Sequence, residues 1–224
     1  MKVLIAAPVR DRAWILPEYL KAIENVSFTE SIQYYFIIND CADNSRQILD
    51  EFKTKHNNCV IDEINFNAPK DERNSVRISH TFNALSFFRN KIVEYFLSTD
   101  CDILFSIDTD IIIKPECLNR LLEVDADIVS AFIYNDYNQK KLGNALIGRD
   151  KIVHIDISTR EEIFSCSITG ACYIIKRSVL EAGCRYGWHS WGEDTPFCFS
   201  ALDKGFKMKC RQGDLAEHFM GERP

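Results

Sequence analysis

The sequence predicts an α/β protein on a doubly wound, mostly parallel sheet, with a small antiparallel region in its later part. Three observations predict it. Short aliphatic or aromatic runs alternate with helical-period segments as far as Tyr134, and strands alternating with helices imply parallel pairing through crossovers. The 224 residues are 46% hydrophobic and 12% aromatic, enough for one core, which sets the expectation of a single domain over 1–224. Beyond Tyr134 the alternation gives way to polar stretches and short segments, so 1–134 and 135–224 read as halves with different tasks.

Each element has its own signal. Lys2 to Ala7 is an apolar first strand, followed by a loop carrying Pro8, Arg10 and Arg12. A helix from about Ala13 to Asn25 follows, with apolar residues at 15, 16, 19, 20 and 23. Tyr34 to Ile38 is a second strand ending in Asn39-Asp40, and Asp43-Asn44-Ser45 offers caps for a helix through about Lys55. Cys59 to Ile64 is a third strand, and the polar run Asn65 to Ser75 with Pro69 reads as a loop. A long helix from about Val76 to Leu97 presents Ile78, Phe82, Leu85, Phe87 or Phe88, Ile92 and Tyr95 or Phe96 as a core stripe. Ile103 to Ile107 is a buried strand, Pro115 opens a helix with Leu118, Leu121 and Leu122, and Ile128 to Tyr134 is another strand. Asn135 to Asp150 is polar, with Gly143 and Gly148, and Lys151 to Ser158 alternates as a hairpin strand. Thr169 to Ile175 returns as a strand, a short helix ends at Gly183, a helix opens at Gly192-Glu193-Asp194, and Lys207 to Arg211 is a last strand.

Composition excludes several classes. Lys and Arg total 27 against 33 Asp and Glu, a net charge of −6 without a concentrated basic stripe, so no nucleic-acid partner is expected. Nine cysteines occur with no Cys-x-x-Cys pair, which disfavours a zinc site or disulfide framework and points to a reducing, cytoplasmic setting. The N-terminal apolar stretch runs straight into Arg10-Asp11-Arg12 and reads as a strand, not a signal peptide. No apolar run approaches the roughly 18 residues of a membrane span, so any membrane contact would be peripheral.

Two acidic clusters carry the chemistry. Asp108-Thr109-Asp110 closes the strand Ile103 to Ile107, and on an extended chain the two aspartates would share one side, roughly 6 to 7 Å apart. Acidic residues also sit at ordinary strand-to-loop turns, where they cap and hold water. A small divalent ion, Mg²⁺ or Mn²⁺, takes carboxylate, phosphate and water oxygens, so a nucleoside diphosphate is the natural partner of such a pair. The second cluster, Gly192-Glu193-Asp194, lies among Trp188, Trp191, Phe197 and Phe199. A sugar face could stack there, although acidic residues at a helix start also simply complement its dipole.

Four segments together resemble the GT-A glycosyltransferases, especially the nucleotide-sugar-dependent family-two enzymes. They are Ala7-Pro8-Val9-Arg10; Ile38-Asn39-Asp40-Cys41-Ala42-Asp43-Asn44-Ser45; Arg89-Asn90 some twenty residues before Asp108-Thr109-Asp110; and Gly170-Ala171-Cys172 leading to Gly192-Glu193-Asp194-Thr195-Pro196-Phe197-Cys198 and Asp203-Lys204-Gly205-Phe206. The resemblance implies a GT-A fold that takes a nucleotide-sugar donor, UDP-linked first among the options, with 1–134 binding the nucleotide and 135–224 the acceptor. It implies that Pro8, Arg10, Asp40, Arg89, Asp108 and Thr109 bind the donor, Asp40 at the base and Asp108 at the ribose or metal. Asp108, Asp110 and the late His218 would hold Mn²⁺ or Mg²⁺. Asp194, with Glu193 beside it, would be the general base of an inverting transfer, although similar Asp-x-Asp folds also occur in retaining transferases. Consecutive helical residues point about 100° apart, so one of the two carboxylates is expected to orient or cap instead.

Departures accompany the match. The turn reads Asn39-Asp40-Cys41-Ala42 where many relatives have a doubled aspartate and Gly-Ser, which opens the choice between UDP and GDP. The few residues after His218 hold no membrane-binding extension, which favours a soluble glycan or peptide acceptor. Ser106-Ile107-Asp108-Thr109-Asp110 also fits a haloacid-dehalogenase-like phosphohydrolase, but about a hundred residues precede it and no Gly-Asp-x-x-x-Asp motif follows. A non-catalytic nucleotide-sugar-binding module is the remaining alternative.

Overall fold

The computed structural model describes residues 1–67, 79–135 and 142–219. The expected loop around Pro69, residues 76–78 of the long helix, and 136–141 of the polar stretch lie outside them. The chain runs β1 (Lys2–Val9), α1 (Leu16–Glu24), β2 (Ser31–Ile38), α2 (Ser45–Lys55), β3 (Cys59–Glu63), α3 (Ser79–Ser98), β4 (Ile103–Ile107), β5 (Ile111–Ile113) and α4 (Cys117–Leu122). It continues through β6 (Ile128–Ala131), β7 (Leu146–Ile147), β8 (Val153–His154), β9 (Ile163–Ser165), β10 (Cys172–Lys176), α5 (Arg177–Glu181), α6 (Asp194–Asp203), β11 (Met208–Arg211) and β12 (Ala216–His218).

Eight strands form one sheet in the order β3-β2-β1-β4-β10-β6-β11-β9, with two small antiparallel pairs, β5 with β12 and β7 with β8. Pairings β3/β2, β2/β1, β1/β4 and β6/β11 are parallel, whereas β10 lies antiparallel between β4 and β6. Strand residues alternate between two apolar layers, as the pleat requires. Val3, Ile5, Ala7, Phe105 and Ile107 face α1, α2 and α4, where Tyr19, Leu49, Phe52 and Leu118 pack. Leu4, Ala6, Leu104, Tyr173 and Ile175 face α3, α5 and α6, where Ile92, Phe96, Leu180 and Phe197 pack. Each fully buried aliphatic or aromatic side chain contributes about 1.5 to 3 kcal/mol relative to exposure. On α3 the choices resolve to Phe88 and Phe96 inside, with Phe87 outside. No described helix is long and apolar enough to cross a membrane.

Several boundaries differ from expectation for local reasons. β1 extends through Pro8 and Val9, which pair with Ile37 and Ile38 of β2; β4 leaves β1 at Ala6, so this end pairs on one side only, where proline is tolerated. α1 starts at Leu16 because the Ile15 and Leu16 amides first turn back to the Arg12 carbonyl, at 3.0 and 2.8 Å, and Pro17 then suits its first turn. β6 ends at Ala131, and Tyr134 makes only an isolated bridge to Gly143. Of Lys151 to Ser158 only Val153 and His154 are strand; the Asp156 carboxylate then accepts the Ser158 amide at 3.0 Å and opens a 3₁₀ turn. The return strand β10 begins at Cys172, after Ala171 takes a positive φ of 68°. The strands β5, β7, β9 and β12 were not expected at all.

Candidate active site

The carboxyl ends of β1, β2 and β4 open onto one cleft of about 220 Å³, where ligands sit in open α/β sheets. Of the expected residues, Pro8, Arg10, Arg89, Asp108, Thr109, Asp110 and Glu193 line it, together with Arg12, Asn39, Leu85 and Phe88. The two acidic clusters, more than 80 residues apart in sequence, therefore meet.

Asp108 and Asp110 do not lie along an extended strand. The Ile111 amide bonds the Asp108 carbonyl at 2.9 Å, so the triplet forms a turn and its aspartates find separate partners. Asp108 accepts from Arg89 Nη2 at 2.7 Å. Asp110 accepts from Arg12 Nη2 at 3.2 Å, and His218 Nε2 stands 3.7 Å from its other oxygen. Burial pushes the Asp110 carboxyl above its ordinary range; Arg12 and His218 oppose the rise and Asp108 adds to it. His218 arrives because the three-residue β12 pairs with β5 directly after the Asp110 turn, placing His218 opposite Ile111.

Arg89 joins the clusters. It is 3% exposed on α3, donates from Nε to Glu193 Oε1 at 2.9 Å and from Nη1 to Ser106 Oγ at 3.1 Å, and binds Asp108 as above. Asp194 Oδ1 lies 3.9 Å from the same Nε, so the consecutive Glu193 and Asp194 converge on one guanidinium. Burial works against the charge of Arg89, but Asp108, Asp194 and Glu193 outweigh it and hold the group protonated. Three of its five N–H donors are thus engaged by protein groups, which fixes the guanidinium at the wall of the cleft.

Asp194 begins α6, just behind the lining residue Glu193. Its Oδ1 accepts from Tyr173 Oη at 2.9 Å, and that phenol lies 2.6 Å from the Tyr186 hydroxyl. Burial pushes the Asp194 carboxyl up to about 7; Arg89 opposes the shift, while Glu193 and Asp108 add to it. A Cβ on Gly170 would lie 2.1 Å from Asp194 Oδ2, so glycine leaves the room the carboxylate occupies. Arg10 is different from the other two arginines. Its Nε and Nη2 are buried and have no hydrogen-bond partner among the described residues, in the cleft that Asp108 and Asp110 also line.

Asp40 is turned away from the lining set: its carboxylate accepts the amides of Phe66, at 3.1 Å, and Asn67, at 2.9 Å. Sequence reasoning did not assign Arg12, Ser106, Tyr173 or Tyr186. One signal was available, because Arg89 occupies the apolar stripe of α3 with Leu85, Ile92 and Phe96, where an arginine needs buried partners.

Solved structures share this architecture. The glycosyltransferase TarS of S. aureus in complex with UDP-GlcNAc matches with a TM-score of 0.66 at 12% identity, over 100% of this chain and 60% of that one. Mannosyltransferase PcManGT from Pyrobaculum calidifontis, in complex with GDP-Man and Mn²⁺, matches with a TM-score of 0.64 at 11% identity, over 99% and 57%. The fold is GT-A-like. The GT-A-like sheet sets aside a haloacid-dehalogenase fold, and the chain spans about 60% of the length of these neighbours. No family model and no curated protein matches the sequence.

Two carboxylates suit Mn²⁺ or Mg²⁺, an imidazole beside them suits Mn²⁺ better than Mg²⁺, and the repulsion of half-buried Asp110 by Asp108 would be relieved by a divalent cation. Among the described residues the three donors that already lie within 4.8 Å of one another are instead Asp11, Cys41 and Asp43. Both carboxylates of that group serve backbone amides: Asp11 that of Ala42, and Asp43 those of Ala13 and Ser45.

Proposed function

We propose that the chain is a metal-dependent glycosyltransferase, a hexosyltransferase, that moves a sugar from a nucleoside-diphosphate donor to an acceptor hydroxyl with inversion. The orphaned guanidinium of Arg10 carries this reading. An unsatisfied cation in the cleft that Asp108 and Asp110 also line asks for an anion that also brings or tolerates a divalent ion, and a diphosphate does both. The neighbours' UDP- and GDP-sugars, and the Mn²⁺ with one of them, support the same donor class, with UDP preferred here.

Asp110 and His218, with Asp108, would hold the ion, whose charge stabilises the departing diphosphate. Arg10 binds the diphosphate, Pro8 and Thr109 shape the cleft beside it, and Arg89 fixes Asp108 against Glu193. Asp194 takes the proton of the acceptor hydroxyl as its oxygen bonds the anomeric carbon. The bond from that carbon to the phosphate oxygen breaks in the same displacement and releases the nucleoside diphosphate. A carboxyl titrating near 7 is well matched to this task at neutral pH. The 135–224 half supplies Asp194 and takes a glycan or peptide acceptor, and the nine free thiols suit a cytoplasmic setting.

A thermal-shift panel of UDP-, GDP- and TDP-sugars, with and without Mn²⁺, tests the proposal on the wild type and Asp110→Ala, because ligands that bind the native state raise its apparent stability. A metal-dependent shift for one nucleotide, lost in a folded Asp110→Ala protein, is expected. Absence of any shift at millimolar nucleotide would overturn the donor site.

A further inference from the structure

We propose that Phe66 is the surface on which the donor's nucleobase stacks, and that Asp40 is the positioning residue that holds it there. The inference rests on the donor reading above and goes beyond it by reassigning the expected base contact. The segment after β3 is clamped to the end of β2. The Ile64 amide bonds the Ile38 carbonyl at 2.9 Å, and the Asp40 amide bonds Asn65 Oδ1 at 2.7 Å. In return both Asp40 oxygens accept backbone amides, and Asn39 Nδ2 donates to Oδ2 at 2.9 Å. Three of roughly four acceptor sites are therefore committed within the protein. Asp40 holds this geometry at a φ of 45°, a left-handed conformation that aspartate tolerates better than most residues.

What this clamp presents is an aromatic ring. Phe66 stacks on the cleft-lining Phe88 with ring centroids 5.0 Å apart and planes inclined by 28°, and its edge meets Phe87 at 5.2 Å. It nevertheless remains 40% exposed, an apolar surface stacked on Phe88, which lines the cleft together with Asn39. A flat heterocycle suits such a surface, because its face covers the exposed ring. Spacing agrees. The sheet order places β3 three strands from β4, about 14 Å at the usual interstrand distance, which is the scale of an extended nucleoside diphosphate.

The test measures binding of UDP, GDP and inorganic pyrophosphate, each with Mn²⁺, by titration calorimetry on the wild type, Phe66→Ala, Phe66→Trp and Asp40→Ala. Phe66→Ala should weaken the preferred nucleotide about tenfold while leaving pyrophosphate within about twofold, the signature of a lost stacking face. Phe66→Trp should restore nucleotide affinity, and Asp40→Ala should behave like Phe66→Ala because the ring loses its clamp. Equal losses for nucleotide and pyrophosphate, or unchanged nucleotide binding in Phe66→Ala, would overturn the proposal. A wild type that binds pyrophosphate but neither nucleotide overturns it as well, with the diphosphate site intact. A wild type that binds none of the three refutes the donor reading itself.

Discussion

Arg89 places a full charge inside the apolar layer of α3, and its cost is offset chiefly by the carboxylates it holds, with the Ser106 hydroxyl as a further partner. Arg89→Ala would leave Glu193 buried without its cation and Asp108 without a partner, so the variant should lose about 3 to 5 kcal/mol in chemical denaturation. Asp194 makes the opposite case. Its carboxyl, raised to about 7 from an ordinary 3.8, keeps a proton in the native state that the unfolded chain has already released. Stability contributed by this group therefore falls as pH rises from about 4 to about 7. Asp194→Asn should melt higher than wild type at pH 8, with the difference closing toward pH 4, when the two are compared by calorimetry. The same substitution should reduce turnover by about 10²- to 10⁴-fold, and wild-type kcat should climb with pH to a plateau above about 7 as the base ionises. Higher activity on the acid side would show that Asp194 works as an acid instead.

At the scale of elements, α3 is tied to the chain entering the Trp188 loop by a reciprocal pair. Asn90 Nδ2 donates to the Tyr186 carbonyl at 3.0 Å, and its Oδ1 accepts the Tyr186 amide at 2.9 Å. Asn90→Ala should cost about 2 kcal/mol, two net hydrogen bonds, and should lower turnover by loosening the approach to α6; unfolding curves and steady-state kinetics would check both. Elements of this kind differ in how far sequence announces them. β1, β2, β4 and α3 carry enough consecutive or periodic apolar residues to be legible, because their burial is written in composition. The three-residue β5, β9 and β12 are not, since so short a strand has no period and exists only through its partner. His218 was suggested by resemblance, but its place beside Asp110 follows from β12 pairing with β5. The turn at Asp108 to Asp110 was missed for a similar reason, as one backbone hydrogen bond decides it. Asp40 had an acidic neighbourhood that suited ligand binding; the backbone amides that occupy it come from the far end of β3.

For the whole molecule, the central sheet draws on both halves of the chain. β10, from the later half, separates β4 from β6, and Tyr173 and Ile175 are fully buried between the layers. A fragment 1–134 would leave facing strand edges and a hole where β10 lies, so it should show no cooperative melt by circular dichroism. A sharp transition would mean that the first half folds alone. The Arg89 bridge has a historical consequence as well. One guanidinium answers to carboxylates from two distant segments, so replacing Arg89 alone strands the buried Glu193, and replacing a carboxylate alone leaves the buried guanidinium short of a partner. Across a lineage, Arg89, Asp108 and Glu193 should covary, lost together where catalysis is abandoned and retained together where it is not.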